Sequence, residues 1–367
     1  MSRRTKLLDR AEPLRMTLLP EAVARTLFGN SPTLLEQTVA AIAAAVLVAA
    51  IPLTCAAIVI WAKRKVTAAF TDRIAPNRLG PGGTLIIVAD AVRLLGKELI
   101  VPDEADRPAY DLGPVLVVFS AIVGFAVVPM GSIAGITVQL ADPEVGLAYV
   151  FAVASLATLG LTMCGYASAN KYSLLGGLRA VAQNIAYEIP LIVTGLSVVI
   201  FAGSLRMGEI VAAQQATLFE LGGLSIPSWY AIVNPFAFAL FLTANLAEVG
   251  RNPFDVPEAP TELVAGYQTE YSSVYFVLVY MGEFVHVFLG GAIVATVFLG
   301  GPAGPVLPGF VWFLGKLWAV FLFTQWARSA LPRVRIDQLI EIGWKGLLVC
   351  SFANLFVTAS IVGLLAA

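Results

Sequence analysis

Apolar runs long enough to cross a bilayer recur along this chain, separated by polar segments. The first is Leu34–Trp61. At 1.5 Å per residue it extends roughly 42 Å, against a hydrocarbon core of about 30 Å, so it must tilt, protrude or kink. Pro52 marks the place for a kink. Further runs follow near residues 112–130, 146–165, 176–202, 231–249, 274–299, 306–328 and 341–365. The pattern predicts an all-α, polytopic integral membrane protein with about eight transmembrane helices.

One polar stretch has a helical period of its own. Over Gly83–Leu99, Leu85, Val88, Val92 and Leu95 fall on one face, while Asp90, Arg93 and Lys97 fall on another. It is too charged to span, so it should lie on the membrane surface or cover a cavity opening there.

Composition fits this class. Of 367 residues, 58% are hydrophobic and 13% charged, and mean hydropathy is +0.84. A soluble domain carries about 25% charged residues. The net charge of −1 gives no reason to expect nucleic acid. Cys55, Cys164 and Cys350 each stand alone in an apolar run, and His286 is the single histidine. No spacing suits zinc, an iron–sulfur cluster or a bis-histidine haem, so no metal site is expected in this chain.

Basic residues set an orientation. Lys63-Arg64-Lys65 closes the first run, and the loops near 62–110, 166–178 and 328–340 hold most of the Lys and Arg outside the N-terminal tail. The segments 131–145 and 300–305 hold none, and 203–230 holds only Arg206. This places those basic loops and the 250–273 loop in the cytoplasm and both termini outside. The basic tail, residues 1–33, runs against the rule and shows no signal-peptide pattern. Residues 34–367 read as one integral domain.

The candidate chemistry lies in carboxylates. The stretch NLAEVGRNPFDVPEAPTELVAGYQTEY, from Asn245 to Tyr271, joins two apolar runs and carries Glu248, Asp255, Glu258, Glu262 and Glu270, with Arg251 the nearby cation. Glu188 lies inside the fourth run, one turn after Asn184, with Gln183 and Tyr187 alongside. Glu283 lies inside the sixth, with Tyr280 and His286 three residues to either side. Ionisable groups within a membrane are costly and mark ion paths by default. A second carboxylate nearby raises a buried one further, so a facing set titrates as a coupled unit, as a proton relay requires. Each acid taken alone is equally compatible with a neutral, hydrogen-bonded packing group. Lys316, in the seventh run, has two open choices, snorkelling to the interface or pairing with a carboxylate.

Several blocks resemble one family, the membrane subunit of respiratory complex I that meets the peripheral arm. They are RIAPNRLGPGG at 73–83 with ADRPAYDLGP at 105–114, KYSLLGGLRAVAQNIAYE at 171–188, RNPFDVPEAPTELVAGYQTEY at 251–271 with GEF at 282–284, and LPRVRIDQLIEIGWKGLL at 331–348. The resemblance implies a subunit that forms much of the quinone chamber and couples quinone reduction to proton translocation. It implies a chamber lined by Lys63, Arg64, Lys65, Arg73, Arg78, Asp90, Arg93 and Arg251. It implies a proton relay through Glu188, Glu248, Asp255, Glu258, Glu262, Glu270 and Glu283. Quinone is then substrate, type unspecified, with no flavin or metal bound here and no catalytic residue in the strict sense. The implied partners are the peripheral quinone-site and iron–sulfur subunits, small and antiporter-like membrane subunits, and lipid, in a prokaryotic plasma membrane.

Departures from the family pattern include Lys63 in place of a common Glu, Ala75 in place of Gly, Pro260 in place of Glu, and Val249-Gly250 in place of Thr-Asn. They fit a divergent prokaryotic branch and leave the electron donor open between NADH, ferredoxin and a deazaflavin carrier. The alternative reading is the membrane anchor of an energy-converting hydrogenase, without quinone. The intact 73–114 block favours the quinone reading.

Overall fold

A computed structural model of the chain describes residues 18–28, 33–133, 136–221, 224–259, 262–304 and 307–366. The basic tail up to residue 17 and Pro260 lie outside them. Helices dominate: α1 (Leu19–Phe28), α2 (Leu34–Phe70), α3 (Ile86–Leu95), α4 (Arg107–Gly124), α5 (Gly146–Ala167), α6 (Lys171–Ala202), α7 (Met207–Ala213), α8 (Tyr230–Val233), α9 (Pro235–Glu248), α10 (Ser273–Phe298), α11 (Gly309–Ala330), α12 (Ile336–Glu341) and α13 (Leu348–Ala366). A π-helical turn, Ile342–Leu347, joins the last two into one rod. Two short antiparallel hairpins, β1 (Ser132–Ile133) with β2 (Ile136–Thr137) and β3 (Thr217–Leu221) with β4 (Leu224–Pro227), and short 3-10 turns lie between the helices.

Among the described residues, seven helices are long and apolar enough to cross a membrane. The fifth predicted span, near 231–249, is instead broken. Asn234 caps the amide of Ala237, Pro235 occupies the first turn of α9, and the helix proper has 14 residues. That is about 21 Å, short of a full hydrocarbon core.

The first span differs in the other direction. It runs as one helix of 37 residues from a Thr33–Glu36 capping box, through Pro52 and the basic triplet, to Phe70. Charge ends a hydrophobic span, but Lys and Arg are good helix formers. The last two turns therefore project beyond the apolar part. The surface helix is shorter than its pattern, because Gly96 stops it before Lys97. Leu85, Val88, Val92 and Leu95 are all exposed, so its apolar stripe is free to meet lipid.

Loops gather at two ends of the bundle. At one, the backbone of Asp106 donates to Ala167 and that of Val334 to Pro253, and Ser272 holds Glu98 and Ile100. At the other, Leu19 donates to Gln139, Gly131 packs on the Gly309–Phe310 backbone, and Gln214 binds Gly300 and Tyr230. This division matches the charge-based one. Helix α1 lies at the end that has few basic residues. The main core is built by α10, which buries Phe284, Phe288 and Phe298, with Phe125, Phe151, Phe241 and Phe313 around it.

Candidate functional site

The loop after α9 folds back into the bundle instead of out into solvent. Arg251 is 4% exposed and Asp255 6%. The guanidinium of Arg251 lies 3.5 Å from Glu283 Oε2 on α10 and 4.7 Å from the centre of the Phe284 ring. The 3-10 turn Gly266–Gln268 closes over this pair. Tyr267 donates its hydroxyl to Glu283 Oε1, and Gln268 Nε2 donates to Glu258 Oε1 and Glu283 Oε1, 2.6 Å each. Arg333, just after α11, reaches Asp255 at 3.6 Å.

The electrostatics follow from burial and neighbours. Burial works against the charge on Arg251, but Glu283, Glu258 and Asp255 hold it above the ordinary arginine value. Burial and then the Glu258 charge push Asp255 up, against Arg251 and Arg333. Burial also works to raise Glu258, yet its hydrogen bond with Glu283 and the Arg251 and Lys63 cations outweigh burial and hold it below the usual value. Tyr267 is raised well above its ordinary value, by burial first and then by Glu283 and Glu258, so it remains a hydrogen-bond donor.

Two partly open cavities run onward from this cluster. The first holds about 60 Å³ and is lined by Arg251, Asp255, Glu258, Glu283, Glu248 and His286 among others. The second, about 20 Å³, is lined by Glu248, His286, Asn245, Gly290 and Glu188. Both have room for water of the size buried polar sites hold. Glu248 Oε2, Asp255 Oδ1, Glu283 Oε2 and Arg251 Nε have no hydrogen-bond partner among the described residues. At the far end Ser155 donates to Glu188 Oε1. His286 Nε2 sits 3.2 Å from the hydroxyl of Ser120.

The structure thus brings together Asp255, Glu258, Glu283, Glu248 and Glu188, with Arg251. Two acids of the same loop turn elsewhere. Glu262 pairs with Arg179 at 2.5 Å and is half exposed, and Glu270 accepts from Asn170 Nδ2. The basic candidates also divide. Arg64 binds Asp90 at 2.7 Å, and Arg93 binds the same carboxylate, so these three fasten α3 to the projecting end of α2. Lys65 rests over Trp61, 6.0 Å from its ring, Arg73 bonds Thr71, and Arg78 is exposed. Lys63 points inward, to Phe284 and Tyr280. Tyr267, Gln268 and Arg333 were not singled out by sequence. Their types suit the task, but only the fold of the loop shows which carboxylates they meet. Among the described residues no group of His, Cys, Asp or Glu is arranged to hold a metal ion.

Comparison with known proteins adds the family. A family model described as NADH dehydrogenase matches residues 42–359. The chain is 43% identical over 302 residues to the H subunit of NADH-quinone oxidoreductase from Dehalococcoides mccartyi, covering 82% of this chain and 81% of that one. It is 44% identical over 303 residues to the H subunit of the same oxidoreductase from Thermomicrobium roseum, with 81% and 89% covered. It is 44% identical over 308 residues to that of Bacillus cereus, with 82% and 88% covered.

Proposed function

The chain belongs to the NADH dehydrogenase family, and from that premise we propose that it is the membrane subunit of a quinone-reducing, proton-translocating oxidoreductase complex. In this reading it is one integral unit that frames the quinone chamber and passes protons away from it. The observation that carries the proposal is that Glu248 and His286 line both cavities. They stand between the Arg251, Asp255, Glu258 and Glu283 cluster on one side and Glu188 on the other. Five carboxylates are thereby ordered along one interior path, and the cavities between them have room for water, which carries protons where side chains do not touch.

The chamber side is the basic end. The projecting turns of α2, the α3 surface helix with Arg64, Asp90 and Arg93, and the segment bearing Lys65, Arg73 and Arg78 form its outer wall. Lys63 and Arg251 face the acids behind it. A quinone tail reaches such a site from the bilayer along the exposed apolar face of α3. The peripheral quinone-site and iron–sulfur subunits would cover the loops at 71–106, 166–170 and 331–335, on the cytoplasmic side of a prokaryotic plasma membrane. The small and antiporter-like membrane subunits would meet the lipid-facing helices, and both ends of the chain would lie outside. The redox centre belongs to a neighbour, and this chain contributes walls, charge and the proton path. Glu262 and Glu270, paired at the loop surface, serve as the entrance to the relay and not as its interior.

The test uses membranes carrying the intact complex, with Glu248→Gln and Glu188→Gln beside wild type. Recovery of the complex is measured first, then quinone reduction and proton uptake. The expected result is normal assembly with pumping reduced at least tenfold in both variants. Normal pumping in both removes the relay. A wild-type complex that evolves hydrogen and ignores quinone replaces this reading with the hydrogenase anchor.

A further inference from the structure

Lys63 is the one basic residue of the Lys63-Arg64-Lys65 triplet that faces the interior. Its neighbour Arg64 is taken by Asp90 at 2.7 Å on the surface side. The ammonium of Lys63 rests 4.8 Å from the ring centre of Phe284 and 5.5 Å from that of Tyr280. Among the described residues it makes no hydrogen bond or ion pair. A desolvated ammonium is attracted to the negative faces of aromatic rings, and this seat leaves its hydrogen-bonding protons without a carboxylate partner. Phe284 follows Glu283 directly, and Tyr280 precedes it by one turn on the same face of α10. The ring that holds Lys63 also holds the Arg251 guanidinium, at 4.7 Å. Two cations therefore sit on one phenyl ring beside one pair of acids.

The charge around this pair can be enumerated. From α10 come Glu283 and Tyr280. From the loop come Arg251, Asp255, Glu258 and Tyr267, with Gln268 bridging the two glutamates. From α11 and the turn after it come Arg328 and Arg333, and from α2 comes Lys63. Arg251 meets Glu283, and Arg333 meets Asp255. Two carboxylates bridged by one amide repel each other when both are ionised, so one keeps a proton unless further positive charge is near. Glu283 Oε2, the oxygen on the Arg251 side, has no hydrogen-bond partner among the described residues.

We infer that Lys63 is a positioning residue whose charge sets the pH at which the Glu258–Glu283 pair releases a proton into the relay. The inference rests on the relay reading above. The proton leaves the carboxyl pair for the 60 Å³ cavity and Glu248, and Lys63 stabilises the extra negative charge left behind. The Phe284 ring on which it rests belongs to the residue next to Glu283.

The experiment compares pH profiles of proton pumping by the intact complex in wild type, Lys63→Met, Lys63→Gln and Lys63→Arg, with Glu283→Gln alongside. Removing a cation favours the protonated pair. The acid limb of the profile should therefore move to higher pH by about one unit in Lys63→Met and Lys63→Gln. Lys63→Arg, which keeps the charge, should leave the limb where wild type has it. Should Lys63→Met not assemble, Lys63→Gln against Lys63→Arg decides the same question. Superposable profiles for the neutral variants and wild type overturn the inference. So does an equal shift in Lys63→Arg, because packing and not charge is then at work. Normal pumping by Glu283→Gln removes that acid from the relay and brings down the reading beneath. Uncoupling in Glu283→Gln with no change in the neutral Lys63 variants defeats the Lys63 inference alone.

Discussion

Tyr267 donates its hydroxyl to Glu283 Oε1. The contact ties a 3-10 turn of the acidic loop to the middle of a transmembrane helix. It also explains why the loop lies inside the bundle: the turn brings one neutral donor, Tyr267, and one amide, Gln268, to the same buried carboxylate. Hydrogen bonds to a charged group are worth about 1.5–3 kcal/mol, and the cost of leaving one unmade is larger than the mean gain. Tyr267→Phe should assemble and lower proton pumping several-fold at neutral pH. Gln268→Leu should do the same. The double variant should lose less than the two losses added, because both donors serve one carboxylate. Additive losses in pumping assays would mean that the two donors act at separate places.

The position of Tyr267 depends on a glycine of another helix. A Cβ on Gly176 of α6 would stand 2.6 Å from the Tyr267 amide nitrogen and 2.8 Å from the Gly266 carbonyl carbon. Both are backbone atoms and cannot turn aside. Gly176→Ala should push the turn outward and weaken the grip on Glu283. The expected cost is about 1–3 kcal/mol, as for other overpacked sites. Thermal unfolding of the purified complex should begin at lower temperature, and pumping should fall more than quinone reduction. An unchanged melting curve would show that the turn has slack that the structure does not display.

Much of this was legible in the sequence, for physical reasons. Long apolar runs have few alternatives to spanning helices, so their places were evident from Leu34 to residue 365. The faces of α3 and α10 followed from helical period, and with them the company of Tyr280, Glu283 and His286. What could not be read were the choices made across space. The basic triplet marks where α2 leaves the apolar layer, and nothing local says that the helix continues to Phe70 or that Lys63 and Arg64 part ways. Glu258 and Glu262 lie one helical turn apart in sequence and share a loop, yet one is buried against Glu283 and the other is held at the surface by Arg179. The broken fifth span was half legible, since Asn234-Pro235 is a helix start a few residues into an apolar run.

Lys316 gives the last test, at the opposite end of the bundle from the loop. Its charge in mid-run suggested snorkelling or a carboxylate partner. It has neither. It is 6% exposed, and its ammonium donates to the carbonyls of Leu299, Gly301 and Ala303 at 2.6, 2.8 and 2.6 Å. Trp229 and Trp312 flank it, 4.5 and 5.8 Å from their ring centres. The end of a helix leaves carbonyls without amide partners and carries partial negative charge. Lys316 meets both needs just past the end of α10, at the Leu299 cap and the carbonyls of the turn after it, where Gly300 and Gly301, with φ of +71° and +52°, bend the chain away. Lys316→Met should leave these carbonyls unpaired, at about 1–3 kcal/mol each, so the Tm of the complex should drop and less of it should be recovered. Lys316→Arg should not restore it, because a planar fork cannot replace a compact ammonium inside a ring of three carbonyls. Quinone reduction per assembled complex should stay at the wild-type rate, since nothing at this end touches the carboxylate path. Normal yield and Tm in Lys316→Met would show that this end of α10 is secured by packing alone, with Gln214 and the tryptophans sufficient to hold it.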